Sequence, residues 1–134
     1  TATGFKDFFK LYYDTMSQQP AFARLILKVV ALNQGPGRRF IQQLLERGRT
    51  RGARKVAELQ QAGHMATTLD PDMVRMAFVS LAMMPMLLKD IFEEQMERPM
   101  DAEFLDRLAL LNGQLFTAGL APQSQTATGK VSQP

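Results

Sequence analysis

Met73 to Leu88 reads MVRMAFVSLAMMPMLL, and only Arg75 and Ser80 within it are polar. A helix apolar along one stripe needs one neighbour, whereas a helix apolar nearly all round must be covered on several sides. The stretch is shorter than the ~18 apolar residues that argue for a membrane span, and Lys89, Asp90, Glu93 and Glu94 follow it at once. The sequence therefore predicts a central helix, covered on one side by its own domain and on the other by a second copy of the chain or a ligand. The competing reading is the core helix of a monomer.

Punctuation on either side delimits this helix. Asp70-Pro71 supplies an N-cap acceptor followed by proline at the first helical position, and Arg98-Pro99 ends the element after about Glu97. Pro85 lies inside, removes a backbone donor and should kink it. Downstream, Met100 and Leu105 bracket Asp101 as a hydrophobic staple around a cap, and a last helix is expected over Ala102 to Ala118, closed by Gly119. Upstream, Phe5, Phe8, Phe9, Tyr12 and Met16 recur at helical spacing up to Ser17. A second helix is expected from Pro20, with Phe22, Leu25, Ile26, Val29 and Asn33 on one stripe. Gly35-Pro36-Gly37 then breaks the chain.

A third helix is expected from about Arg38 to Ala62. Gly48 and Gly52 inside it either let another backbone approach or mark a bend near Arg47–Gly52. Gly63 suits the left-handed residue after a helix end. No stretch alternates with period two. The expectation is an all-α domain of five helices over residues 1–121 and a disordered tail over 122–134, which is polar and rich in Ser, Thr and Gln.

Composition narrows the chemistry. With 134 residues, 46% hydrophobic and 22% charged, the chain can bury one real core. It has no cysteine, so disulfides and a thiolate nucleophile are excluded, and a reducing, cytoplasmic setting is consistent with that. There is one histidine, His64, no glycine-rich phosphate loop and no Glu-x-x-His pair, so neither catalysis, a metal site nor a cofactor is expected. His64 follows a helix end and reads as a surface loop residue.

Arg38, Arg39, Arg47, Arg49, Arg51, Arg54 and Lys55 face one acid, Glu46, in the same interval, giving net +6 within a chain of +3. That run is either a solvated helix face or an attractor for DNA phosphates or an anionic ligand.

The run AGHMATTLDPDMVRMAFVSLAMMP, with Gly63, Leu69, Asp70, Pro71 and the apolar helix from Met73, resembles the ligand-binding domain of TetR-family transcriptional regulators. QQPAFARLILKVVALN, at Pro20, Ala23, Arg24 and Leu25, is similar to that family's proline-started helix, and DAEFLDRLALLNGQLFTAGL to its final helix. The resemblance spans about Phe5 to Leu120. It implies an all-α effector domain whose last two long helices form a four-helix bundle in a homodimer. It also implies an apolar cavity between the earlier helices and the fourth, in which a small hydrophobic effector alters DNA binding, most often as repression. The family's helix-turn-helix domain has no counterpart here, so DNA contact is expected only through such a domain upstream of Thr1. The helix from Pro20 has an apolar stripe and only Arg24 and Lys28 as basic groups, unlike a recognition helix.

Residues assigned to the ligand wall are Phe9, Tyr12, Phe22, Ile26, Val29, Asn33 and Phe78. Five of the nine methionines fall within Met73–Met86 and suit either ordinary core filling or an adaptable pocket. Asn33 either orients a ligand or ends its helix, and Tyr12 and Tyr13 either point polar groups inward or keep their hydroxyls in water at the rim. The dimer face is assigned to Ser80, Met84, Leu88, Phe104, Leu108, Leu111 and Leu115. The rival reading is a helical carrier for hydrophobic molecules with no regulatory role.

Overall fold

A computed structural model describes residues 2–122, with side chains from Gly4 onward. The expected tail from 122 lies outside the described residues except at Pro122. Among the described residues the chain is all-α, with six helices and no strand. These are α1 (Ala2–Ser17), α2 (Pro20–Leu32), α3 (Gly35–Gln61), α4 (Pro71–Leu87), α5 (Lys89–Met96) and α6 (Ala102–Leu120).

The expected count of five becomes six because the fourth element divides. Backbone geometry leaves the helix at Leu88 (φ −107°, ψ 20°), one turn after Pro85, and α5 restarts at Lys89. The break follows Pro85, whose missing N–H removes the bond to the Leu81 carbonyl one turn earlier, while the Leu88 N–H still reaches the Met84 carbonyl at 3.1 Å. The short α5 ends on Glu97 in the left-handed region (φ 56°), and the Arg98 N–H returns to the Glu93 carbonyl at 3.3 Å. The Glu93 carboxylate accepts the Met100 N–H at 2.7 Å and pairs with Lys89 at 3.2 Å, so its pKa falls below the ordinary 4.5.

Both anticipated caps form. Asp70 accepts the Asp72 N–H at 2.8 Å and Asp101 the Phe104 N–H at 2.9 Å. Met100 and Leu105, the two ends of the staple, are buried. Gly119, expected to close α6, stays helical, and the chain turns only after Leu120, whose carbonyl accepts the Ala66 N–H at 2.8 Å. That bond fastens the α3–α4 loop to the end of α6. Gln60 holds the same loop by donating to Ala66 and Leu69.

α3 is not interrupted at its glycines; it is one helix of 27 residues. The absence of a side chain at Gly52 admits the Arg75 methylenes, which a Cβ there would meet at 3.4 Å. Arg75 lies across α3 from α4, donating to the Leu45 carbonyl at 3.2 Å and pairing with Asp72 at 3.4 Å. One of the two polar groups in the apolar helix is thus a clamp between α3 and α4.

α1 packs most extensively on α6, while α4 touches α1, α2, α3 and α5 and is the central helix that its composition predicts. α1 and α3 both rest on α2 and α4 but make at most marginal contact with each other.

Candidate functional site: an aromatic cluster backed by a bare helix face

Helical spacing on α1 puts Phe5, Phe8, Phe9 and Tyr12 within reach of α4 and α6. Phe78 of α4 is the hub. Its ring centroid lies 4.8 Å from Phe9 and 5.8 Å from Phe116, both stacked, and it receives Tyr12 edge-on at 5.5 Å and Phe8 edge-on at 6.4 Å. Offset and edge contacts of this kind add to plain area burial. Phe9 is fully enclosed, whereas Phe8 and Tyr12 keep roughly two fifths of their surface open. The cluster therefore has a sealed base and an open aromatic lip.

Beneath it lies a polar relay that sequence reasoning missed. Asn112 of α6 donates to the Tyr13 hydroxyl at 2.7 Å, and that hydroxyl donates to the Leu81 carbonyl at 2.9 Å. Leu81 is four residues before Pro85, so its carbonyl is the one that the proline's missing N–H leaves without a helical partner. A buried carbonyl needs a donor, and a tyrosine sixty-eight positions away supplies it. Tyr13 is wholly buried rather than at a wet rim, and burial pushes its pKa above the ordinary 10.0, so the hydroxyl remains a donor at neutral pH. The signal in the sequence was Pro85 itself: a proline inside a buried helix implies an orphan carbonyl one turn back.

The residues assigned to the ligand wall divide into two groups. Phe9, Tyr12 and Phe78 share the ring cluster, with Phe22 and Ile26 packed in the same core. Val29 instead sits at the α2–α3 turn, where a Cβ on Gly37 would come within 3.0 Å of it. Asn33 is exposed and takes the left-handed C-cap of α2 (φ 48°, ψ 46°), its side-chain oxygen accepting from Arg38 at 3.2 Å. Asn33 ends a helix in this structure and stands apart from the ring cluster around Phe78.

The residues assigned to the dimer face also divide. Met84, Leu111 and Leu115 are each about half exposed, Ser80 is exposed, and Leu88, Phe104 and Leu108 are half-buried. Phe104 carries the Arg98 guanidinium 4.8 Å above its ring. Two further residues continue the exposed stripe of α4: Met73 (70% exposed) and Met76 (69%). Ser80 turns its hydroxyl back to the Met76 carbonyl at 2.8 Å, which leaves this face of α4 without a free polar group. Methionines 73 and 76 were legible as apolar but not as outward-facing.

Elsewhere, a surface groove of about 410 Å³ lies where α1, α2 and the α4–α5 break meet the start of α6. Met16, Met86, Met100 and Leu105 form its apolar part, with Arg24 and Lys89 on its edge. A second depression of about 520 Å³ lies beside Val29, Leu32 and the turn at 34–37. Among the described residues no group of histidine or carboxylate side chains could hold a metal ion, and no helix is long and apolar enough to cross a membrane. No known protein family, curated protein or solved structure matches this chain.

Proposed function

We propose that this chain is the effector-binding and dimerisation domain of a TetR-like transcriptional repressor. In this reading a small apolar or aromatic ligand enters the cleft over Phe78, two copies pair through α4 and α6, and DNA is held by a helix-turn-helix domain outside these residues. The observation that carries the reading is that α4 is apolar on two opposite sides. Phe78 looks into the aromatic cluster, while Met73, Met76, Ser80 and Met84 form a bare stripe on the other side. Leu111 and Leu115 of α6 are bare as well. Large exposed apolar patches on a domain of this size mark an interaction surface, and a self-complementary pair of helices suits a two-fold dimer.

The same helix thereby couples the two sites. Phe78 is two residues from both Met76 and Ser80, about half a turn around α4. A ligand that presses on Phe78 tilts the stripe that meets the partner. An occupant with different affinity for two dimer geometries shifts their populations, and hence the spacing of any DNA-reading domains attached to them.

Native mass spectrometry of the chain tests this directly. A dimer that becomes a monomer on Met76→Glu or Met84→Glu, with unchanged helicity, is the expected result. A wild-type chain that stays monomeric at micromolar concentration overturns it. A monomer that still takes up a hydrophobic molecule is the signature of a carrier instead.

A further inference from the structure

The proposed cleft has a charged edge. Lys55 of α3 holds its ammonium 5.8 Å from the centre of the Phe8 ring, directly over the open aromatic lip. This contact joins α3 to α1. Among the described residues Lys55 makes no ion pair, and neither does Arg51, one turn earlier on the same face of α3.

Local acids do not offset these cations. Residues 20–61, which form α2 and α3, carry nine basic side chains and two acidic ones. Of the two acids, Glu46 leans toward Arg49 at 3.9 Å, and Glu58 pairs with neither Lys55 nor Arg54. The acids of α1, Asp7 and Asp14, lie on the Lys10 side of that helix, where both act on the Lys10 ammonium, and Asp106 of α6 completes that arrangement.

We infer that the cleft selects an apolar molecule bearing one negative group, such as a fatty or aromatic carboxylate, with the rings of Phe8, Tyr12 and Phe78 taking its body and Lys55 and Arg51 taking its anion. This rests on the proposed effector cleft and adds the charge of its occupant. The physical reason is desolvation. A neutral apolar guest seated under Lys55 strips water from the ammonium and gives nothing back, and a cationic guest adds repulsion. An anionic guest replaces the lost water with a charge-assisted hydrogen bond, while its tail covers the exposed rings. The weak attraction of an exposed ammonium for a phenyl ring leaves Lys55 free to turn toward such a group.

Two dyes with the same rings make the test: anilinonaphthalene sulfonate, an anion, and phenylnaphthylamine, which is neutral. Titrated against the whole chain, the anion should bind more tightly by roughly two- to fivefold, the range of an exposed charge contact. Lys55→Met together with Arg51→Gln should remove that preference while moving the affinity of the neutral dye less than about twofold. Both positions are solvent-facing, so circular dichroism should be unchanged. Dodecanoate should displace either dye and dodecanol should not. Equal affinity for the two dyes, or a preference that survives the double substitution, overturns the inference and leaves the cleft standing. Dye binding that ignores Tyr12→Ala puts the probes elsewhere, for example on the bare face of α4, and takes the cleft and the inference down together. Displacement by short duplex DNA and not by dodecanoate assigns the cations to nucleic acid, which also overturns it.

Discussion

The α1–α6 pair and the α2–α3 hairpin are built from the same kind of chain, yet they are held very differently. Between α1 and α6 there are ring contacts (Phe9 stacked and Phe5 tilted, each 5.4 Å from Phe116), the Asn112–Tyr13 hydrogen bond that continues to Leu81 of α4, and the Lys10–Asp106 ion pair at 3.0 Å. In the hairpin, Ala23, Ile26 and Val56 are the buried residues, whereas Leu25, Val30, Leu32, Phe40 and Leu45 are exposed. The Arg75 clamp and the Gln60 bonds are what tie α3 to the rest by side-chain hydrogen bonds. One half is thus a frame and the other a wall standing on it. Local opening free energy follows buried contacts, so local opening is expected where the fold is weakest, between the wall and the frame.

The largest effect that separates the halves comes from cavity formation. Phe9→Ala should cost about 3–5 kcal/mol, the range for truncating a buried phenylalanine, because every side of the ring is occupied. Leu32→Ala, at a position 67% exposed, should stay within about 0.5 kcal/mol. Urea midpoints of the two variants measure the difference, and equal shifts would erase the distinction between frame and wall.

The next effect is polar and pH-dependent. Tyr13→Phe leaves both the Leu81 carbonyl and the Asn112 amide without a partner in a closed core, which should cost about 1–3 kcal/mol. The pKa of Tyr13 is raised by burial above its ordinary 10.0, and the hydrogen bond from Asn112 only partly offsets this. A raised pKa gives stability that is whole below pH 10 and is lost as pH climbs through the folded-state value. The wild-type chain should therefore lose stability in that alkaline range by an amount that Tyr13→Phe does not show. Thermal melts of the two proteins from pH 8 upward read the difference. Parallel pH profiles would mean that the relay does not bind the frame together.

How much of this was legible follows from the distance over which each signal acts. The starts at Pro20, Asp70-Pro71 and Asp101 are local, each decided by a cap or ring within four residues, and they appear in place. Pro85 was legible as a disturbance, but the break settled at Leu88, one turn beyond the bond that the proline removes. Gly119 carried a stop signal that the helix overrode, because the bond from Ala66 to Leu120 holds the end of α6 one residue further on. Asn33 lay on the stripe of α2 by periodicity, yet its left-handed geometry makes it a terminus, and asparagine tolerates that geometry better than most side chains. The Tyr13–Asn112 contact joins residues 99 positions apart, and no local rule pairs them. Sequence pattern gave the apolar character of α4 but not which methionines face outward, since that depends on where α1 and α3 come to rest.

The smallest effect tests whether the wall is loose by design of its sequence or merely by its position. Gly48 sits in the middle of α3, and a Cβ built there meets nothing within 4 Å; at Gly37 it would lie 3.0 Å from Val29. Alanine is favoured over glycine in a helix interior by about 0.5–1 kcal/mol, largely because it narrows the unfolded ensemble. Gly48→Ala should return that full amount as a higher urea midpoint. Gly37→Ala should return less, or reverse the sign, because Val29 must give way. If both substitutions stabilise equally, the turn between α2 and α3 has slack to spare. The hairpin would then yield at its own corner, and hydrogen exchange would be faster there than along the Lys55 face of α3.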